Sequence, residues 1–208
     1  MKIKTLTVGP VETNCYLASD EDGVTAIVDP GGEPERIAAF METGGLTPGA
    51  ILLTHGHFDH IGGAAALQKR FGIPVYVHCG DGEMLTDNEK NGGALFGLPA
   101  EKVEGARLLN GGESVSVGDM RFTLLHTPGH SKGSCCYRAG DTLFTGDTLF
   151  CGGVGRTDLY GGNWRELLSS LERLAALSGD FSLYPGHGEP TTLNAERENN
   201  PYIGNERS

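Results

Sequence analysis

Ala50-Ile51-Leu52-Leu53 leads without a break into Thr54-His55-Gly56-His57-Phe58-Asp59-His60, so three imidazoles and a carboxylate leave the end of a buried-strand pattern together. Residues i and i+2 of an extended chain point the same way, and His55 and His57 can therefore reach one ion. Asp59 and His60 turn with the chain into a helical pattern, Ile61 to Arg70, and face elsewhere. One short loop can thus serve two neighbouring ions. Imidazole and carboxylate are the ligands that zinc, iron and manganese accept.

Working outward, three more positions place a ligand in a glycine turn after an apolar run. His130, in Thr127-Pro128-Gly129-His130, completes the first set, and His187, in Tyr184-Pro185-Gly186-His187, completes the second. Asp147, in Thr145-Gly146-Asp147, has two oxygens with which to bridge both ions, which two-metal hydrolases hold roughly 3.5–4 Å apart. Water held between them becomes a hydroxide near neutral pH, and no serine or cysteine nucleophile is needed.

Of the seven histidines this uses five, and His78 and His126 read as structural. Cys151, just beyond Asp147, reads as a buried packing residue rather than a ligand. Gly129-His130-Ser131-Lys132-Gly133 fits the Gly-x-Ser-x-Gly elbow of serine hydrolases, but that elbow runs into a helix, and Ser134-Cys135-Cys136-Tyr137 is strand-like.

With 208 residues the chain is long enough for one domain with a sizeable core. Short apolar runs separated by many of the 33 glycines predict about ten strands, from Ile3–Val8 to Phe181–Tyr184. Helical spacing appears over Pro34–Met41, Ile61–Arg70 and Trp164–Leu177, the last with Trp164, Leu167, Leu168, Leu171, Leu174 and Ala175 on one face. Asp81 to Gly105 lacks periodicity and reads as a mobile loop beside the cleft.

Lys and Arg number 16 against 27 Asp and Glu, a net charge of -11 that speaks against nucleic acid as a partner. No segment is apolar for long enough to span a bilayer, no leader pattern opens the chain, and five irregularly spaced cysteines suit a reducing, cytoplasmic setting.

Taken with Glu12-Thr13-Asn14-Cys15-Tyr16, Val28-Asp29-Pro30-Gly31-Gly32, Gly155-Arg156-Thr157-Asp158, Pro185-Gly186-His187-Gly188 and Asn200-Pro201-Tyr202, these motifs run nearly the whole chain. The chain resembles the metallo-β-lactamase-fold proteins, and among them the small glyoxalase II-like bacterial hydrolases. The resemblance implies an α/β fold, a four-layer αββα sandwich of two mixed sheets flanked by helices, formed by a single domain over 1–208 without a helical C-terminal domain. It implies two divalent ions, zinc first, then iron or manganese. His55, His57 and His130 would hold one, Asp59, His60 and His187 the other, and Asp147 both. It also makes Asp59 an orienting group for the bridging hydroxide and Asp29 a support of the metal loop.

A small hydroxyacyl thioester such as S-lactoylglutathione is the expected substrate, with Arg156 on its carboxylate. A thiolate of pKa near 8.5 leaves without a general acid, whereas an amide would need one. The aromatic partner that glyoxalase II carries two residues after the arginine is Asp158 here, so Arg156 has a loop-pinning alternative. Asp147, where many β-lactamases of the fold place a cysteine, disfavours β-lactams. The alternatives are a mononuclear iron persulfide dioxygenase, which shares the Gly-Arg-Thr-Asp stretch, and a lactonase or phosphodiesterase.

Overall fold

The computed structural model describes residues 1–203; the last five positions of the expected 1–208 domain lie outside the described residues. Six strands form a first mixed sheet in the spatial order β1 (Lys2–Val8), β2 (Thr13–Ser19), β3 (Val24–Val28), β4 (Thr47–Leu52), β5 (Val75–His78) and β6 (Arg107–Leu109). β1 to β3 run antiparallel and β3 to β6 parallel.

The second sheet begins with β7 (Ser114–Val117), β8 (Met120–His126), β9 (Cys135–Ala139) and β10 (Thr142–Gly146). A two-stranded ribbon of β11 (Leu149–Phe150) and β12 (Gly153–Val154) follows, and β13 (Ser182–Pro185) and β14 (Thr191–Thr192) complete the order β14-β13-β10-β9-β8-β7. β10 and β13 are parallel, so β8, β10 and β13 point their C-terminal ends to one edge.

Side-chain alternation explains the layering. Along β2 every residue is buried: Tyr16 and Ala18 face the second sheet, where they meet Phe122, Leu124, Tyr137 and Phe144, while Cys15 and Leu17 face the helices. The same split runs through β3 and β4, with Ala26, Val28, Ala50 and Leu52 inward and Ile27 and Ile51 outward. Helices α1 (Pro34–Thr43) and α3 (Ala64–Phe71) cover the outer face with Ile37, Met41 and Leu67. Helices α5 (Trp164–Ala175) and α6 (Leu193–Asn199) cover the second sheet. The expected αββα sandwich is the fold observed.

Asn163 caps α5, its side chain accepting from Arg165 N at 3.0 Å, and Leu167, Leu171 and Leu174 are buried, each contributing about 1.5–3 kcal/mol. Trp164 does not join that face; it is 43% exposed, edge-on to Tyr202.

The single helix expected over Ile61–Arg70 is two, α2 (Phe58–Ile61) and α3, because Gly62 and Gly63 lie against the Pro30–Gly31 backbone where a Cβ would collide. Asp81 to Gly105 is not a structureless loop. It continues a 3-10 helix, Cys79–Thr86, and contains α4 (Gly93–Phe96), tied down by Asn88 and Asn91. Among the described residues no helix is long and apolar enough to cross a membrane.

Candidate metal centre

Each expected ligand sits just beyond the C-terminal end of a strand, all at one edge of the sandwich. His55 and His57 leave β4, Asp59 and His60 ride on α2, His130 follows β8, Asp147 follows β10 and His187 follows β13. The structure brings all seven together. Ligand atoms of His55, His57 and His130 form one group, those of Asp59, His60 and His187 another, and those of His55, His60 and Asp147 a third.

Within the first group, His57 Nδ1 is 2.8 Å and His55 Nε2 3.3 Å from His130 Nε2. Two nitrogens each bound to tetrahedral zinc stand about 3.3 Å apart, so the spacing suits an ion between them. In the second group Asp59 Oδ2 is 3.2 Å from His187 Nε2 and 3.5 Å from His60 Nε2. Asp147 stands between the groups: Oδ1 is 3.3 Å from His60 Nε2, and Oδ2 is 3.5 Å from His130 Nε2 and 3.7 Å from His187 Nε2.

Buried atoms without hydrogen bonds test whether metal fits here. Among the described residues His60 Nε2, Asp147 Oδ1 and His57 Nε2 have no hydrogen-bond partner, a costly state for buried polar atoms. For His60 and Asp147 these are the atoms that face the cluster, and a cation would satisfy them. Gly186 keeps the space clear, since a Cβ there would overlap Asp147 Oδ1 and His60 Cε1.

The far ring nitrogens are held. His130 Nδ1 donates to Arg156 O at 2.7 Å and His60 Nδ1 to Asp29 Oδ2 at 3.0 Å, which leaves each Nε2 lone pair for an ion. Asp29 also accepts from Thr54 N at 2.8 Å and Thr54 Oγ1 at 2.6 Å, and His55 Nδ1 lies 3.1 Å from that hydroxyl. Asp29 has a left-handed φ of 49°, so the residue that bonds His60 and Thr54 also forms the turn into Pro30 and Gly31.

Burial, followed by the neighbouring imidazoles, pushes His55 well below its ordinary pKa, and burial with His130 pushes His57 down to about 3. Both are neutral at pH 7, the form that gives a lone pair. Burial would raise Asp147 and Asp59, but His60 and then the other imidazoles hold both carboxyls below their usual range. His60 and His187 go the other way. Burial lowers them, yet Asp147, Asp59 and Asp29 raise His60, and Asp59 and Asp147 raise His187.

A cleft of about 410 Å³ opens over the cluster, with Val11, Phe58, Phe96, Phe150, Leu159 and Arg156 on its walls. A larger groove of about 540 Å³ lies at the opposite end of β10, beside Asp141 and Thr142, and holds no histidine or cysteine. The chemistry belongs to the smaller one. Arg156 reaches this cleft, but its Nε and Nη2 bind Asp158 at 2.6 and 2.7 Å, while Nη1 has no hydrogen-bond partner among the described residues.

Cys151 is exposed, not buried, because it sits in the turn between β11 and β12 with no core beneath it. His78 and His126 stand outside the cluster and stack on each other at 3.8 Å. Ser131 Oγ donates to Asp81 and lies 2.7 Å from Ser134 Oγ, and β9 follows it, so no serine elbow forms.

The matching family model, described as the metallo-beta-lactamase superfamily, covers residues 8–187. This chain belongs to the metallo-beta-lactamase superfamily. A probable metallo-hydrolase of Bacillus subtilis, YqgX, is 40% identical over 98% of both chains. The hydroxyacylglutathione hydrolase GloC of Haemophilus influenzae is 36% identical, again over 98% of each.

Among solved structures, the BLEG-1 B3 metallo-beta-lactamase superposes with a TM-score of 0.94 at 39% identity, over 98% of this chain and all of that one. TTHA1623 in a di-iron-bound form gives 0.87 at 39% identity, over 96% of this chain and 100% of the other. ETHE1 from Myxococcus xanthus gives 0.80 at 30% identity, over 97% and 84%.

Of the wall residues, Val11, Phe96, Phe150 and Leu159 carried no sequence signal, since each lies in a turn or in an element too short to show a period. Thr13 and Asn14 did carry one, as members of a motif whose role only the fold reveals. Thr13 Oγ1 donates to Asp59 Oδ2 at 3.3 Å, and Asn14 Nδ2 donates to Pro185 O and Gly188 O around His187.

Proposed function

We propose that this chain is a two-metal hydrolase of small acyl thioesters, with hydroxyacyl thiols such as S-lactoylglutathione or a bacillithiol equivalent as substrate. The reading rests first on Asp147, whose two oxygens face His60 on one side and His130 and His187 on the other at 3.3–3.7 Å. Its other support is the relative named as a hydroxyacylglutathione hydrolase, matched along nearly its whole length.

Divalent ions held by these residues, zinc, iron or manganese, would supply a water deprotonated near neutral pH and positive charge for the developing oxyanion. Asp59, kept ionised by His60 and His187, accepts a hydrogen bond from the attacking water and turns its lone pair toward the acyl carbon. The apolar walls formed by Phe96, Phe150 and Leu159 exclude bulk water around that carbon. Arg156 Nη1 is placed to hold a carboxylate at the mouth while Asp158 fixes the rest of the guanidinium. The departing thiolate, of pKa near 8.5, needs no proton from the enzyme.

The second reading, persulfide oxidation at one iron, is favoured by Gly155-Arg156-Thr157-Asp158. Metal analysis of the protein as purified, followed by rates on S-lactoylglutathione, other acyl thiols, lactones, phosphodiesters and β-lactams, separates the cases. Two ions per chain and fastest turnover of hydroxyacyl thioesters are expected. One iron per chain with oxygen uptake on glutathione persulfide would overturn the hydrolase, and β-lactams turned over fastest would overturn the thioester.

A further inference from the structure

We infer that Asp81 is a positioning residue: its carboxylate fastens the loop bearing His55 and His57 to the loop bearing His130, and so sets the spacing of the first ligand group. This rests on reading that group as a metal site. Asp81 lies on the 3-10 helix after β5, contributes no ligand, and is fully buried.

Its Oδ2 accepts from Gly56 N at 3.0 Å, between His55 and His57, and from Ser131 Oγ at 2.6 Å, next to His130. Its Oδ1 accepts from Gly133 N at 2.7 Å, in the same loop as His130. The two loops come from different sheets, and one side chain binds both.

None of these three partners carries a charge, yet Asp81 is buried. A carboxylate out of water is tolerated only where donors replace its hydration, and hydrogen bonds to an ionised acceptor are roughly twice as strong as neutral ones. The surroundings are shaped for it. A Cβ on Gly133 would lie 2.5 Å from Asp81 N and 2.8 Å from its Cβ, and one on Gly56 would lie 3.2 Å from Asp81 O and 2.7 Å from Met84 Cβ. Only glycine lets either loop come this close. The Gly-x-Ser-x-Gly stretch thereby acquires a reason that has nothing to do with a serine nucleophile, since Ser131 and Gly133 are the donors that Asp81 gathers.

In Asp81→Asn the amide keeps the shape but turns an N–H toward a backbone or hydroxyl donor, so one link opens. Titration of metal-free protein with cobalt, followed by its visible absorption, is the test. One of the two binding steps should weaken by about 10–100-fold, the usual loss for a group that orients ligands, with an altered cobalt spectrum and the other step unchanged. On a thioester, kcat should fall while KM holds.

Ser131→Ala removes one donor and keeps both backbone bonds. It should weaken the same step by a measurable factor of up to about tenfold, and it keeps the question answerable if Asp81→Asn does not fold. Wild-type affinities and spectra in either variant, with only the melting temperature lowered, would overturn the inference and leave the metal centre standing. A wild-type protein that takes up no cobalt would instead overturn the metal-centre reading itself.

Discussion

The floor of the cleft and its rim are built by opposite rules. On the floor His55, His57, His60 and His130 are at most 2% exposed, and three of them are held through the nitrogen that faces away from the cluster. On the rim Phe96 is 47% exposed, Val11 44% and the Arg156 side chain 53%. Under the proposed function, this difference would give reaction type to the floor and substrate choice to the rim. A superfamily whose members are named both hydroxyacylglutathione hydrolase and metallo-beta-lactamase is open to such a division.

The hardest blow to that division falls on Asp147. Asp147→Asn puts an amide between the two groups and removes the charge that balances His60, so kcat on a thioester should drop by about 10²–10³-fold or more, with metal content below wild type. An unchanged kcat would dismantle its bridging role. Next comes Asp29→Asn, which touches no expected substrate but loosens His60 and Thr54; metal affinity by competitive chelation should weaken about 10–100-fold.

The rim should respond more gently. Arg156→Ala removes an exposed cation already committed to Asp158, so KM for an anionic thioester should rise about fivefold, the equivalent of one exposed ion pair, with kcat kept. A collapse of kcat would mean that rim and floor are not separable.

The smallest effect lies outside both regions, at His78. Burial and the stacked His126 hold His78 down to about 4, against about 6.5 in the unfolded chain. Between those values the unfolded state binds more protons, so the stability His78 contributes is whole above pH 6.5 and drains as pH falls toward 4. In His78→Asn, melting temperatures of metal-free protein should fall less steeply over that window than in the wild type.

Much of this was legible in the chain because ligands at strand ends leave a pattern that chance rarely makes: an apolar run, a glycine, then an imidazole or carboxylate. Long amphipathic repeats such as α5 were equally plain. The errors have local causes. Trp164 fits the apolar spacing of its helix, yet it stands in the first turn, beyond the sheet that α5 covers. The break at Gly62 and Gly63 comes from contact with a loop thirty residues earlier, which no window around Ile61 contains. β6 and α6 are too short to show a period. Asp81 looked like any loop aspartate, since its partners are 25, 50 and 52 positions away.

Asn14 and Tyr16 hold Pro185, and Asn14 N donates to Gly186 O at 2.7 Å, so the N-terminal hairpin grips the last ligand loop across about 170 positions. Contacts so distant in sequence close late and slowly. On the ribosome, then, a nascent chain can display His55, His57 and His130 long before His187 emerges to meet Asp59. The group of Asp59, His60 and His187 is therefore complete only after residue 187 has been made, and it closes behind the group of His55, His57 and His130 rather than ahead of it.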